Sequence, residues 1–189
     1  MLADVVVKWQ RIWGKKKMTI TYPLSMPTDV GGPAQITISS ENVVAASVSP
    51  FTFSQQSHVY PGQRWIASVT LPRMRRERAE PWIAFLMSLK GKKGSFLLSD
   101  PNGLDPQGTV SGTVLVKGSG QTGSTLVVDG LTANLVNAFK AGDYIQIGSA
   151  MAARLYKILA DASADSLGAV TLDIWPDLRS TPEDNAAVV

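Results

Sequence analysis

The chain has 189 residues, 44% of them hydrophobic and 17% charged, with 16 glycines, 11 prolines and a formal charge of +3. That is enough apolar material to bury a real core in one large or two small domains, and it excludes disorder over most of the length. The absence of cysteine excludes disulfides, cysteine-ligated metals and a cysteine nucleophile.

Low charge with many glycines and prolines points to a β-rich chain with frequent turns rather than a helical bundle. The first segment, "MLADVVVKWQRIWGKKK", has its basic residues after its apolar stretch. A secretory signal has the opposite order. An amphipathic helix at a membrane surface is a weaker alternative for it. No run approaches the ~20 apolar residues of a membrane span. Met18 then opens the alternating "MTITYPLSMP", as the natural start or the first ordered residue, so 1–17 reads as a flexible extension. Residues 18–27 read as a strand and then a loop.

Residues 34–60 are rich in β-branched and aromatic side chains and predict two or three strands, divided near Glu41-Asn42 and near Pro50. Pro61-Gly62 is a turn signal, so the strands flanking "HVYPGQ" are expected to form a hairpin. In "RWIASVTLP", Trp65, Ala67 and Val69 share one face. A helix is predicted at about 77–90. Trp82, Phe85, Leu86 and Leu89 recur at i, i+3, i+4 and i+7. Pro81 suits the first turn, and Gly91 suits the C′ position. "SFLLSD" is expected to leave the turn as a strand.

"PNGLDPQGT" (101–109) marks a boundary. Beyond it "TVLVKGSG", "STLVVDGL", "DYIQIGS", "RLYKILAD" and "GAVTLDIWP" are five short strand candidates, the texture of a small barrel or sandwich. "TANLVNAFKAGD" reads as a short helix or an irregular crossing, and 181–189 as a frayed end.

Signals for chemistry are few. "KGSGQTGST" lacks the spacing and the Lys-Ser/Thr pair of a phosphate loop and reads as a hairpin loop. "SDPNGLD" lacks the rest of a calcium loop and reads as a turn. His58 is the single histidine and has no carboxylate close in sequence. No catalytic, metal or cofactor residue is assigned, and the chain is read as a non-enzyme. Trp65, Trp82, Phe85, Leu86, Leu89, Phe96 and Leu98 are expected in the core rather than on a ligand platform. Basic residues cluster at Lys15–Lys17, at Arg73, Arg75, Arg76 and Arg78, and at Lys90, Lys92 and Lys93. Nucleic acid is disfavoured, because these clusters lack interleaved aromatics to stack bases.

Residues 51–106 carry a hairpin strand with a hydrophobic-Pro step, "SVTLP". A charged helix with "FLMSLKG" and then "FLLSDP" follow it. This order resembles the distal tail and minor tail-tip proteins of long-tailed bacteriophages, as does the later "AGDYIQIG…RLYKIL…GAVTLDIWPDLR". The resemblance implies a mainly β fold with minor helix: a β-sandwich with one packed helix, plus a second small β-barrel or sandwich domain. It implies a tail-ring domain over 18–106 and a barrel-like domain over 107–180.

It further implies a structural virion protein of the tail, made in the bacterial cytoplasm. Such a protein forms a ring, expected to be hexameric, and contacts the tail tube and the hub or baseplate. Arg73, Arg75, Arg76, Arg78, Lys92 and Lys93 are then candidate subunit contacts. A carbohydrate- or host-surface-binding β module is the alternative, and a nucleic-acid-binding protein a weaker one.

Overall fold

The computed structural model describes residues 20–148 and 152–189. The extension read over 1–17 and its boundary at Met18 lie outside them. The chain forms two compact units, one holding residues up to 30 together with 74–97, the other holding 31–73 together with 98–189. Among the described residues it is mainly β, with one α-helix and two sheets.

In the first unit the helix, α1, spans Arg76–Ser88. Trp82 is buried and meets Phe85 edge-on at 6.0 Å, and Phe85 meets Phe96 at 5.6 Å. Because α1 starts at Arg76, Pro81 lies inside the helix rather than in its first turn. Its missing amide leaves the Glu77 carbonyl on an exposed residue that water can serve. At the C-terminus the Tyr22 hydroxyl donates to the Ser88 carbonyl at 2.7 Å, and the Gly94 amide to the Leu89 carbonyl at 2.8 Å. Lys90 takes the left-handed position ahead of Gly91. The strands expected in 18–27 and 95–100 reduce to one parallel bridge, Leu24 to Phe96. A short loop and a single helix give these stretches no sheet to join.

The second unit begins with a long antiparallel hairpin, β1 (Gln35–Val48) and β2 (Gln55–Thr70). The division near Pro50 is the hairpin turn, closed by Ser49 amide to Ser54 carbonyl at 2.9 Å. Pro61-Gly62 is not a turn. The register shifts between Asn42 and Val44, so that Tyr60, Pro61 and Gly62 stand against Val43 as a bulge. Proline has no amide to give the ladder and is tolerated there. The expected hairpin turn at "HVYPGQ" is therefore displaced to 49–54.

All five strands expected after residue 107 form. They are β3 (Gly112–Val116), β4 (Gly123–Leu131), β5 (Tyr144–Ile147), β6 (Arg154–Ile158) and β7 (Val170–Leu178). They make one antiparallel sheet in the order β3-β4-β7-β6-β5. Alternate residues point inward, and Val116, Leu126, Val128, Ile158, Leu172 and Ile174 form the fully buried centre. "TANLVNAFKAGD" is an irregular crossing.

The chain end, expected to fray, is paired instead. Val188 donates to the Val114 carbonyl at 3.1 Å, and Val189 and Gln146 exchange backbone bonds at 3.0 and 2.7 Å. Residues 185–189 thus bridge β3 and β5, the two edges of the curled sheet, and bury Val188. Unpaired edges that would otherwise be open acquire partners.

Candidate functional site

The barrel is braced by one buried carboxylate. Asp143, 4% exposed, accepts backbone hydrogen bonds from Gln107 at 2.7 Å and from Gly108 and Lys140 at 3.0 Å. One side chain therefore ties the entry loop to the crossing before β5. Tyr156 is also buried in the barrel, and desolvation pushes its phenol above the usual tyrosine value against the pull of Arg154 and Arg179.

Beside Asp143 opens a cavity of about 790 Å³. Its floor includes Val110, Phe139, Ile145 and Val188, and Asp100 and Asp105 stand in its wall. The Tyr144 hydroxyl donates to Asp100 at 3.0 Å, and Lys157 Nζ lies 3.3 Å from that hydroxyl and 4.4 Å from the ring centre. His58 lies on exposed β2 and meets Tyr60 edge-on at 4.6 Å. Among the described residues no group of His, Asp and Glu could hold a metal ion, and no helix is long and apolar enough to cross a membrane.

The hairpin is the other prominent surface. Its base rests on β7. The Trp175 indole donates to Asn42 at 2.8 Å, the Asp177 amide to Gln63 at 2.6 Å, and the Trp65 indole to the Leu155 carbonyl at 3.1 Å. Beyond the bulge the arm is free: every residue of 43–60 is exposed except Ser49, which is half-buried. Val43, Val44, Val48, Val59 and Tyr60 line it, and Phe51 and Phe53, 91% and 81% exposed, stand at its tip. Two strands of 14 and 16 residues, with no further strand on either outer edge among the described residues, are a poor isolated structure in water.

The residues expected in the core divide. Trp82 and Leu89 are buried, and Trp65, Phe85 and Leu98 are half-buried. Leu86, 57% exposed, and Phe96, 38% exposed, are not core. Among the described residues no second layer covers both flanks of the apolar stripe of this 13-residue helix. Arg73, Arg75, Arg76, Arg78, Lys92 and Lys93 are all exposed. Arg76 is engaged with Glu80 one turn on, at 2.9 Å. Asp143, the cavity and the pairing of 185–189 had no readable signal, since each joins segments far apart in the chain.

Residues 103–189 match the family model described as distal tail protein pb9, B domain. The match runs through the barrel and includes the edge-bridging end. No curated protein matches the chain. Over residues 103–189 the chain is similar to the B domain of distal tail protein pb9, a phage tail family, and this similarity supports a phage distal tail protein.

Proposed function

We propose that the chain is a ring-forming structural subunit of the phage tail tip or baseplate, with six copies joining the tail tube to the hub. The observation that carries this reading is the free hairpin arm. Its exposed apolar side chains and open edges gain burial and hydrogen-bond partners only on another surface. A contact in which the arm of one copy lies on a different face of the next is heterologous, and such contacts close into rings when the rotation permits. The exposed basic residues Arg73, Arg75, Arg78, Lys92 and Lys93 serve to orient that approach. The six-fold number rests on the family resemblance. The domain division drawn from the sequence, a ring domain over 18–106 and an appended barrel over 107–180, is kept as part of the proposal.

The test is incorporation into particles. Phe51→Ser with Phe53→Ser should leave the thermal midpoint of the purified chain unchanged and remove it from assembled tails. Electron microscopy of wild-type particles should show the chain as a ring at the end of the tail tube. Its absence from particles, or its presence there outside any ring, overturns the reading.

A further inference from the structure

The two ends of the chain carry opposite charge. Residues 1–97 hold thirteen basic and five acidic side chains, and residues 98–189 hold five basic and ten acidic, giving net charges of +8 and −5. Opposite charge on two segments of one chain favours contact of each with the other segment of a second copy. The division has a local counterpart on each side.

On the basic side, α1 leaves an apolar strip uncovered. Ile83, Leu86 and Met87 are 44%, 57% and 73% exposed, and Lys90, in the left-handed conformation, follows just past the helix end. The turn Gly91–Lys93 then presents Lys92 and Lys93 to solvent. On the acidic side, the barrel cavity has a mostly apolar floor and two aspartates in its wall. Asp105 is exposed and has no hydrogen-bond partner among the described residues, and Asp100 is half-buried. Lys157 is the single basic residue in the lining, and its ammonium lies over the Tyr144 ring. The strip has apolar side chains with lysines at one end. The cavity has apolar side chains with carboxylates in its wall.

We infer that the occupant of this cavity is a second copy of the chain: Met87 and its strip cover the apolar floor, and Lys90, Lys92 and Lys93 meet Asp100 and Asp105. Exposed charges at such a contact select the partner face and speed encounter, while the apolar strip supplies most of the affinity. The inference deepens the ring reading, on which it rests, by naming a second subunit contact separate from the hairpin arm.

The experiment uses the full chain. Light scattering over a concentration series in low and high salt should show association that high salt weakens. Lys92→Asp with Lys93→Asp, and separately Asp105→Lys, should each weaken association by about tenfold or more. An equimolar mixture of the two variants should recover part of that loss, because each then offers the other a complementary face. Because the chain has no cysteine, Lys92→Cys and Asp105→Cys variants mixed under mild oxidation should yield a disulfide-linked pair. All of these substitutions are at exposed positions, and unchanged thermal midpoints establish that the variants are folded.

A wild-type chain that is monomeric at its highest soluble concentration in low salt overturns the inference. So does a bond formed only within one copy of a Lys92→Cys/Asp105→Cys chain, which would mean that the chain's own turn fills the cavity. Association untouched by either reversal sinks this contact but leaves the ring reading standing. The ring reading fails separately, by the absence of a ring from particles.

Discussion

Trp65 and Trp175 meet edge to face, with ring centres 4.5 Å apart and planes at 87°. One belongs to the hairpin and the other to barrel strand β7. Tyr144 adds a third ring, 5.9 Å from Trp65. The indole of Trp175 is held by Asn42 and that of Trp65 by the Leu155 carbonyl, so the polar ends of both rings are satisfied where the hairpin rests on the barrel. The arm beyond the bulge is free because its base is fixed.

The first prediction concerns that pair. Trp65→Ala and Trp175→Ala in a double-mutant cycle should show a coupling of about 0.5–1.5 kcal/mol, the usual scale for an edge-to-face pair. Urea unfolding of the four proteins measures it. Strict additivity would mean that the rings do not hold the hairpin base.

Asp143→Ala should cost about 3 kcal/mol or more. It removes the shared acceptor of three part-buried backbone hydrogen bonds, where losing the acceptor of a fully buried donor costs about 1–3 kcal/mol. Asp143→Asn keeps one carbonyl oxygen and should cost less. Chemical denaturation of both variants gives the order, and an equal loss would show that the carboxylate is not the brace.

Removing residues 185–189 should lower stability by about 2–4 kcal/mol, from one buried aliphatic side chain and several net backbone hydrogen bonds. The same deletion should speed amide exchange in β3 and β5, whose edges it uncovers, more than in β7. Uniform exchange across the sheet would refute the edge-bridging role.

The helix gives a contrast within one element. Trp82→Ala should cost about 3–5 kcal/mol, the range for a buried large aromatic. Leu86→Ala, at an exposed position, should stay within about 1 kcal/mol. Comparable losses would place Leu86 in a core that the isolated chain does not show.

Asp165 carries the pH prediction. Hydrogen bonds from the Ala169 and Leu167 amides, both at 2.8 Å, hold its carboxyl below the usual aspartate value. A carboxylate depressed in the folded state adds stability above its unfolded pKa and loses it as pH falls through the folded one. Wild type should therefore lose stability on acidification below the ordinary aspartate range. Asp165→Asn should flatten part of that dependence, being less stable than wild type near neutrality and converging on it in acid. Superimposable pH profiles of the two proteins would refute it.

The sequence by itself determined the local elements that carry their own period or punctuation. Ile145 and Ile147, or Leu172 and Ile174, alternate with polar neighbours, and a half-buried strand is the backbone that puts such residues on one face. The spacing of Trp82, Phe85 and Leu89 fixed the helix in the same way, because 3.6 residues per turn aligns them.

Only the tertiary structure decided which apolar residues are covered. Leu86 has the periodicity of Leu89 but is exposed. Phe51 and Phe53 have strand-like company but stand on a free arm. Pro61-Gly62 has the residues of a turn, yet a turn or a bulge is chosen by the partner strand, which the local chain does not contain. The burial of Asp143, the cavity beside it and the closure by Val188 depend on segments tens of residues apart meeting in space. Local propensity acts over a few residues, whereas burial and hydrogen-bond pairing across a barrel are set by whichever distant segments the topology makes adjacent.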